Sequence, residues 1–228
     1  CRTVRSAVGI FDASTLGKIE VVGRHAAEFM NRLYANDFTK LETGQCRYGI
    51  VLREDGFLLD DGVVARIAAD QFHVTTTTGG AARVLGMMED LVQTEWPELD
   101  VWLTSTTDQW AVIAVQGREA RTLLAPLTEG IDLSNTGMPH MSVREGRILG
   151  IPARLFRVSF TGELGYEVNV PADYGLAVWE AIHQAGTPYG IVPYGTETMH
   201  VLRAEKGYII VGQETDGTVT PDDVGLSR

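Results

Sequence analysis

The sequence predicts an α+β fold of mainly antiparallel strands packed with helices. Three observations predict it. Short alternating runs are joined by glycine-containing turns, as at Arg53-Glu54-Asp55-Gly56 and Thr161-Gly162-Glu163-Leu164-Gly165. Amphipathic helical stretches fall between these runs irregularly, without the regular strand–helix alternation of a parallel sheet. Neither GxGxxG after a strand nor GxxxxGK[ST] occurs, so no dinucleotide or nucleoside triphosphate site is indicated.

The elements follow in order. Residues 18–22 alternate and read as a strand that ends at Gly23. Residues 25–33 have helical spacing, with Ala26, Phe29, Met30 and Leu33 on the apolar side. Residues 49–59 read as a hairpin turning at 53–56, and further strands are expected at 63–67 and 72–76. A helix over 81–93 places Val84, Leu85, Met88 and Leu91 together. Pro97 and the polar stretch 104–108 then mark a seam.

Beyond the seam the opening pattern recurs as a strand at 110–115, Gly117 and a helix over 118–127. Gly23-Arg24-His25-Ala26 matches Gly117-Arg118-Glu119-Ala120, and Met30 and Leu33 match Leu124 and Leu127. Strand–glycine–helix is a common unit, so this short repeat fits either that commonplace or a two-lobed protein built from related halves. Strands at 151–160 and 166–170, and helices at 176–184 and 196–206, complete the pattern, with Gly207 closing the last helix.

Length and composition bound the function. The 228 residues suffice for one large or two modest cores. Asp and Glu outnumber Lys and Arg 30 to 19, and the formal charge of −11 argues against nucleic acid or an anionic membrane as partner. Two cysteines, Cys1 and Cys46, are too few for a disulfide framework and lack metal-ligand spacing, so a reducing, cytoplasmic setting is expected. The five histidines show no metal-binding spacing, and no metal is expected. No apolar run reaches the roughly 20 residues that span a bilayer. The chain starts at Cys1 on structured-looking sequence and reads as a segment of a longer polypeptide.

Two places carry the strongest chemical signal. Asp60 and Asp61 lie between the apolar flanks Phe57-Leu58-Leu59 and Val63-Val64. In a strand one of the two carboxylates faces inward, which is costly unless it has partners or work to do. The alternative is a solvated turn. The second place is the segment 157–167. Alternation there puts Arg157, Ser159 and Thr161 on one strand face, leaves Glu163 in the turn, and sets Glu167 between Tyr166 and Val168. A strand carboxylate so shielded suits a planar pair of N–H donors. Thr75-Thr76-Thr77-Thr78-Gly79-Gly80 reads most simply as the N-cap of the following helix.

Several longer motifs resemble the aminomethyltransferase family. They are Val8-Gly9-Ile10-Phe11-Asp12-Ala13-Ser14-Thr15-Leu16-Gly17-Lys18, Cys46-Arg47-Tyr48-Gly49, Asp60-Asp61-Gly62-Val63, Gln93-Thr94-Glu95-Trp96-Pro97 and Phe160-Thr161-Gly162-Glu163. The family includes the glycine cleavage T-protein and the folate-binding parts of sarcosine- and dimethylglycine-oxidising enzymes. Gln93–Pro97, Leu202-Arg203-Ala204-Glu205-Lys206-Gly207-Tyr208 and the stretch 212–221 resemble most closely the folate-binding part of heterotetrameric sarcosine oxidase alpha subunits.

The resemblance implies the family's two-lobed folate-binding fold without its C-terminal barrel. One lobe would be residues 1–17 with 107–212, the other 18–106 with 213–228. It implies capture of a sarcosine-derived imine on tetrahydrofolate as 5,10-methylenetetrahydrofolate. FAD, FMN and NAD would lie elsewhere in the full enzyme, with its other subunits or domains as partners. The family's catalytic Asp falls on Asp61, its Tyr on Tyr48 and its pterin-binding Glu on Glu167. Phe160 stands where the family often has Tyr, and Met199 where the T-protein has a pocket Arg. A T-protein-type transferase or a folate-dependent demethylase are alternatives. A non-enzymatic folate-binding factor of iron–sulfur assembly is another, but Tyr208 stands where its relatives carry a Cys after Lys-Gly.

Overall fold

The computed structural model describes residues 1–226. In chain order the elements are α1 (Arg2–Ser6), β1 (Gly9–Asp12), β2 (Gly17–Val22), α2 (Ala26–Leu33), β3 (Cys46–Leu52), β4 (Leu58–Ala68), β5 (Gln71–Thr76), α3 (Ala81–Thr94) and β6 (Trp102–Ser105). They continue with β7 (Trp110–Gln116), α4 (Ala120–Leu124), β8 (Thr128–Glu129), β9 (Val143–Ile148), β10 (Ile151–Phe156), β11 (Gly165–Pro171), α5 (Gly175–Gly186), β12 (Val192–Pro193) and α6 (Thr196–Ala204). The chain divides into two compact units. One is Cys1–Ser14 with Asp108–Tyr208; the other is Thr15–Thr107 with the described part of Ile209–Arg228. The last two residues of the expected second lobe, 227 and 228, lie outside the described residues.

The first unit holds a seven-stranded sheet among the described residues, ordered β12-β1-β7-β11-β10-β9-β8. All its pairings are antiparallel except β1 with β12. One sheet face is apolar: Ile10, Ile113, Val115, Ala153, Leu155, Tyr166, Val168 and Val170 are buried against α4 and α5 residues such as Leu123, Leu124, Val178 and Ile182. The opposite face carries the alternate positions, and there the buried residues include Gln116, Arg154 and Asn169. Glu167 stands on that second face. The register makes one row of Phe11, Ala114, Glu167 and Phe156 across four strands. Arg5 of α1 ties distant segments together: it pairs with Glu163 at 2.9 Å and Glu205 at 2.7 Å, and donates to the carbonyls of Thr161 and Leu202.

The second unit holds a five-stranded antiparallel sheet, again among the described residues, ordered β3-β4-β5-β2-β6. Ile19, Val21, Val64, Phe72 and Val74 bury one face against Phe29, Met30, Val84 and Met88 of α2 and α3. The C-terminal stretch returns to this unit, where the Leu58 amide donates to the Val219 carbonyl at 2.8 Å.

Each unit contains the repeated joint, and the two copies share their wiring. Gly23 and Gly117 both have positive φ, 148° and 135°. A Cβ on Gly23 would lie 2.2 Å from the Asp100 carbonyl oxygen, and one on Gly117 2.3 Å from that of Ala7. The same carbonyls accept the next-but-one amides, His25 to Asp100 at 3.4 Å and Glu119 to Ala7 at 3.2 Å. Ala26 and Ala120, which open α2 and α4, donate to the carbonyls of Gly23 and Gly117. Only glycine tolerates both the backbone angle and the close approach.

Four local expectations are corrected. The strand expected at 151–160 stops at Phe156, so Arg157, Ser159 and Thr161 do not share a strand face. Their side chains turn to local partners instead: Arg157 donates to the Met138 carbonyl, and Ser159 donates to Gln116. The separate strand expected at 63–67 is the far half of β4, which runs unbroken through Asp60 and Asp61. The helix expected over 118–127 is α-helical only for Ala120–Leu124 before tightening to a 3₁₀ turn at Ala125–Leu127, where Pro126 lacks an amide to continue the ladder. The polar seam at 104–108 does hold the division between the two units, at Thr107 and Asp108, but Thr104 and Ser105 belong to the edge strand β6, whose residues are mostly exposed and so lack the alternation of a half-buried strand.

Candidate functional site

The chemistry of the second unit centres on the hairpin β3–β4. Asp61 pairs with Ile50 and Val63 with Tyr48, so Tyr48 is the diagonal neighbour of Asp61 on the same sheet face. The Tyr48 hydroxyl donates to Asp61 Oδ2 at 2.5 Å. Burial lifts the Asp61 carboxyl to about 6; the Tyr48 hydrogen bond pulls it down, and the neighbouring Asp60 charge adds to the rise. Burial also pushes the Tyr48 phenol well up, helped by Asp61, so it stays protonated as the donor. Asp61 is thus a carboxyl that changes protonation close to neutrality with a fixed phenol beside it.

The inward member of the acidic pair is Asp60, 1% exposed. Its Oδ1 accepts the amides of Asp61 at 2.8 Å and Thr77 at 3.0 Å, and its Oδ2 accepts the Thr77 hydroxyl at 2.9 Å. Alternation along β4 puts Asp60 on the helix-packed face with Val64 and Asp61 on the other. The Thr-Gly segment therefore does more than cap α3. Thr77 does accept the Gly80 amide at 3.1 Å, but no side chain caps α3 at Gly80 itself, and the Thr77 hydroxyl proton goes to Asp60.

Sequence reasoning missed Tyr34, which follows α2. Its buried phenol is driven up by desolvation and by the charges of Asp60 and Asp61, and its ring packs where a Cβ on Gly49 would lie 2.7 Å away. A glycine inside a strand signals such a close approach, so Gly49 was the available clue.

The remaining expected site residues belong to the first unit and stand on different elements. Glu167 is central in β11, half-buried, with the small Ala114 beside it and aromatic Phe11 and Phe156 in the same row. Tyr194, just beyond β12, is half-buried and stacks on Phe11 with ring centroids 5.3 Å apart, and its phenol is pushed well up by desolvation and then by the Glu167 charge. No sequence pattern tied Tyr194 to Glu167, because the link runs through the parallel β1–β12 pairing. Phe160 lies in the loop after β10 and stacks on Tyr208 at 6.2 Å. Met199 is half-buried in α6. A carboxylate flanked by a small residue and flat rings fits a planar ligand that offers adjacent N–H donors. Among the described residues no cluster of His, Cys, Asp and Glu could hold a metal ion, and no helix is long and apolar enough to cross a membrane.

Comparison with known proteins gives a consistent neighbourhood. The sarcosine oxidase subunit alpha of Corynebacterium sp. (strain P-1) is 55% identical over 99% of this chain, and that of Rhizobium meliloti (strain 1021) 46% identical over 99%. The chain spans about a quarter of the length of these relatives, 24% and 23%. The aminomethyltransferase of Streptomyces coelicolor is 34% identical over 99% of this chain and 59% of its own. Among solved structures, the glycine cleavage system aminomethyltransferase T from Bartonella henselae superposes with a TM-score of 0.83 at 25% identity, covering 96% of this chain and 56% of that one. A chain of the heterotetrameric sarcosine oxidase from Corynebacterium sp. U-96 has a TM-score of 0.60 at 13% identity over 85% of this chain and 92% of that chain, a likeness of fold alone. The α+β architecture of two largely antiparallel sheets is thus shared with aminomethyltransferase T, and the family model for the GCVT N-terminal domain matches residues 1–228, so the chain belongs to that family.

Proposed function

We propose that this chain is the folate-binding, one-carbon-transfer part of a sarcosine-oxidising enzyme, with Asp61 as its proton-handling carboxylate. The observation that carries the proposal is the Tyr48–Asp61 bond together with a carboxyl lifted to about 6. A general base works best when its pKa lies near the operating pH. Near neutrality Asp61 is mostly ionised, yet it holds a proton readily enough to return it.

Tetrahydrofolate supplies two secondary amines that together accept a one-carbon unit from an amine-derived imine. The exchange is redox-neutral: two N–H protons leave the folate, two N–H bonds form on the departing amine, and carbon passes between nitrogens. Asp61 stabilises the positive charge that grows on an attacking nitrogen and takes its proton. Tyr48, held protonated, orients the Asp61 carboxylate through the 2.5 Å bond. Glu167 accepts the paired N–H donors of a pterin edge, and Phe160 and Met199 contribute apolar contact where relatives of the T-protein type place polar groups.

The test uses the full polypeptide that carries this sequence. Asp61→Ala should leave sarcosine oxidation intact but release formaldehyde even when tetrahydrofolate is supplied, with 5,10-methylenetetrahydrofolate formation falling about 10²–10⁴-fold. Methylenetetrahydrofolate formation at the parent rate would remove Asp61 from the chemistry. The 34% identity to an aminomethyltransferase favours a second reading, transfer from an aminomethylated carrier protein. Supplying that carrier in place of sarcosine separates the two.

A further inference from the structure

We propose that Asp60 is the positioning residue for Asp61, bracing the backbone from which the reactive carboxylate projects. This inference rests on the role given to Asp61 above.

Asp60 is a nearly fully buried carboxylate whose oxygens accept three hydrogen bonds from two segments. One donor is the main-chain amide of Asp61 itself. The other two, the amide and hydroxyl of Thr77, belong to the loop that joins β5 to α3. Asp60 therefore locks the Asp61 peptide unit to a loop one strand away. The neighbouring backbone is shaped to admit it: a Cβ on Gly80 would lie 1.6 Å from Asp60 Oδ2, and one on Gly62 1.9 Å from the Thr75 carbonyl oxygen. Both approaches are open to glycine alone. The Thr77 hydroxyl, in turn, is oriented by accepting the Gly80 amide, which directs its proton to Asp60.

The brace also carries charge. Tyr48 from β3 is hydrogen-bonded to Asp61 on its own sheet face, whereas Asp60, on the opposite face of β4, acts on Asp61 through its charge, and the Asp61 charge in turn reaches the Tyr34 phenol beyond α2; Arg83 of α3 donates to the adjacent Leu59 carbonyl at 2.7 Å. Of these only Asp60 adds negative charge, and that charge favours the protonated form of Asp61. Asp60 thus works on the reaction in two ways through one neighbour: it fixes where the Asp61 carboxylate sits and raises its hold on a proton.

Two variants separate the effects in the full polypeptide, read by methylenetetrahydrofolate formation across pH. Asp60→Asn keeps the size and an acceptor for both amides but removes the charge, so the acidic limb of the pH–rate profile should move down by about one unit. Thr77→Val keeps the charge and removes one strut. Its maximal rate should fall about tenfold with an unchanged KM for tetrahydrofolate, and Thr77→Ser should restore it, since small misplacements of reacting groups cost up to about 10²-fold. An unmoved limb in Asp60→Asn, or a parent-like rate in Thr77→Val, overturns the proposal. If Asp60→Asn does not fold, the valine–serine pair decides. Asp61→Asn is the control: if it transfers at the parent rate, the underlying reading of Asp61 fails. If it is dead while the Asp60 and Thr77 variants behave as parent, only the positioning role fails.

Discussion

Asp61→Asn measures what it costs the fold to keep a carboxylate in this position. The Asp61 carboxyl is lifted from 3.8 to about 6, chiefly by burial. A rise of roughly two units corresponds to about 3 kcal/mol at 1.36 kcal/mol per unit. The folded state prefers the protonated acid. The stabilisation that comes from taking up that proton is complete below about pH 4, where the unfolded chain is protonated too, and is lost as pH rises through about 6. An asparagine has no charge to desolvate and keeps an oxygen for the Tyr48 hydroxyl. Its extra N–H donors need acceptors, which takes back about 1 kcal/mol. The net expectation is a variant about 2 kcal/mol more stable than the parent at pH 8, or roughly 4–8 °C in Tm for a chain of this size. At pH 4 that advantage should be gone. Thermal melts of both proteins at pH 4, 6 and 8 read the difference directly. A Tm difference that stays constant from pH 4 to 8, or one that moves in the parent's favour as pH rises, refutes the reasoning. The same variant should be inactive, so stability and chemistry oppose each other at this residue.

Other outcomes are equally concrete. Tyr48→Phe removes the bond that lowers the Asp61 carboxyl, so Asp61 should titrate about one unit higher; ¹³C NMR of the labelled carboxyl checks it, and an unchanged titration denies the bond its role. Glu167→Ala should weaken tetrahydrofolate binding about ten- to a hundredfold by calorimetry, the worth of a charge-assisted donor pair, whereas parent affinity would take Glu167 out of the pterin contact. Leu149, 40% exposed, turns the β9–β10 hairpin with positive φ ahead of Gly150. Leu149→Asn should raise stability by roughly 1 kcal/mol in a denaturant titration, because that turn conformation favours asparagine.

The fold was legible where periodicity was strong. Residues 25–33 and 81–93 appear as α2 and α3 within a residue at each end, and the alternating Tyr166 to Val170 stretch is β11. The strand β9 was invisible because Arg144, Glu145 and Arg147 interrupt its apolar positions, leaving only Val143 and Ile148 buried. The site was legible as residue types but not as geometry. Alternation says that Asp60 and Asp61 face opposite ways without saying which faces the helices. That is decided by Gly80 and Thr77, seventeen and more residues away. The Tyr48–Asp61 contact depends on hairpin register as well. A tight turn at 53–56 would pair Leu52 with Phe57, whereas Leu52 pairs with Leu58 and the register shifts again between Val51 and Leu52. Gly56, with φ of 85°, marks the longer loop behind the first offset, but a bulge of one residue is enough to send every later side chain to the other face, and no residue type marks the second shift between Val51 and Leu52.

The twin joints at Gly23 and Gly117 give the chain an internal replicate. The same strand exit, the same backbone angle and the same carbonyl contact occur once in each unit. Alanine at either position commits one identical error, so the two variants differ only in the unit that absorbs it. If both units melt together, the two substitutions will lower one shared transition by similar amounts. If the units melt separately, each substitution will move its own transition and leave the other in place. A pair of glycines thus makes the cooperativity between the halves measurable with two single mutants, without cutting the chain.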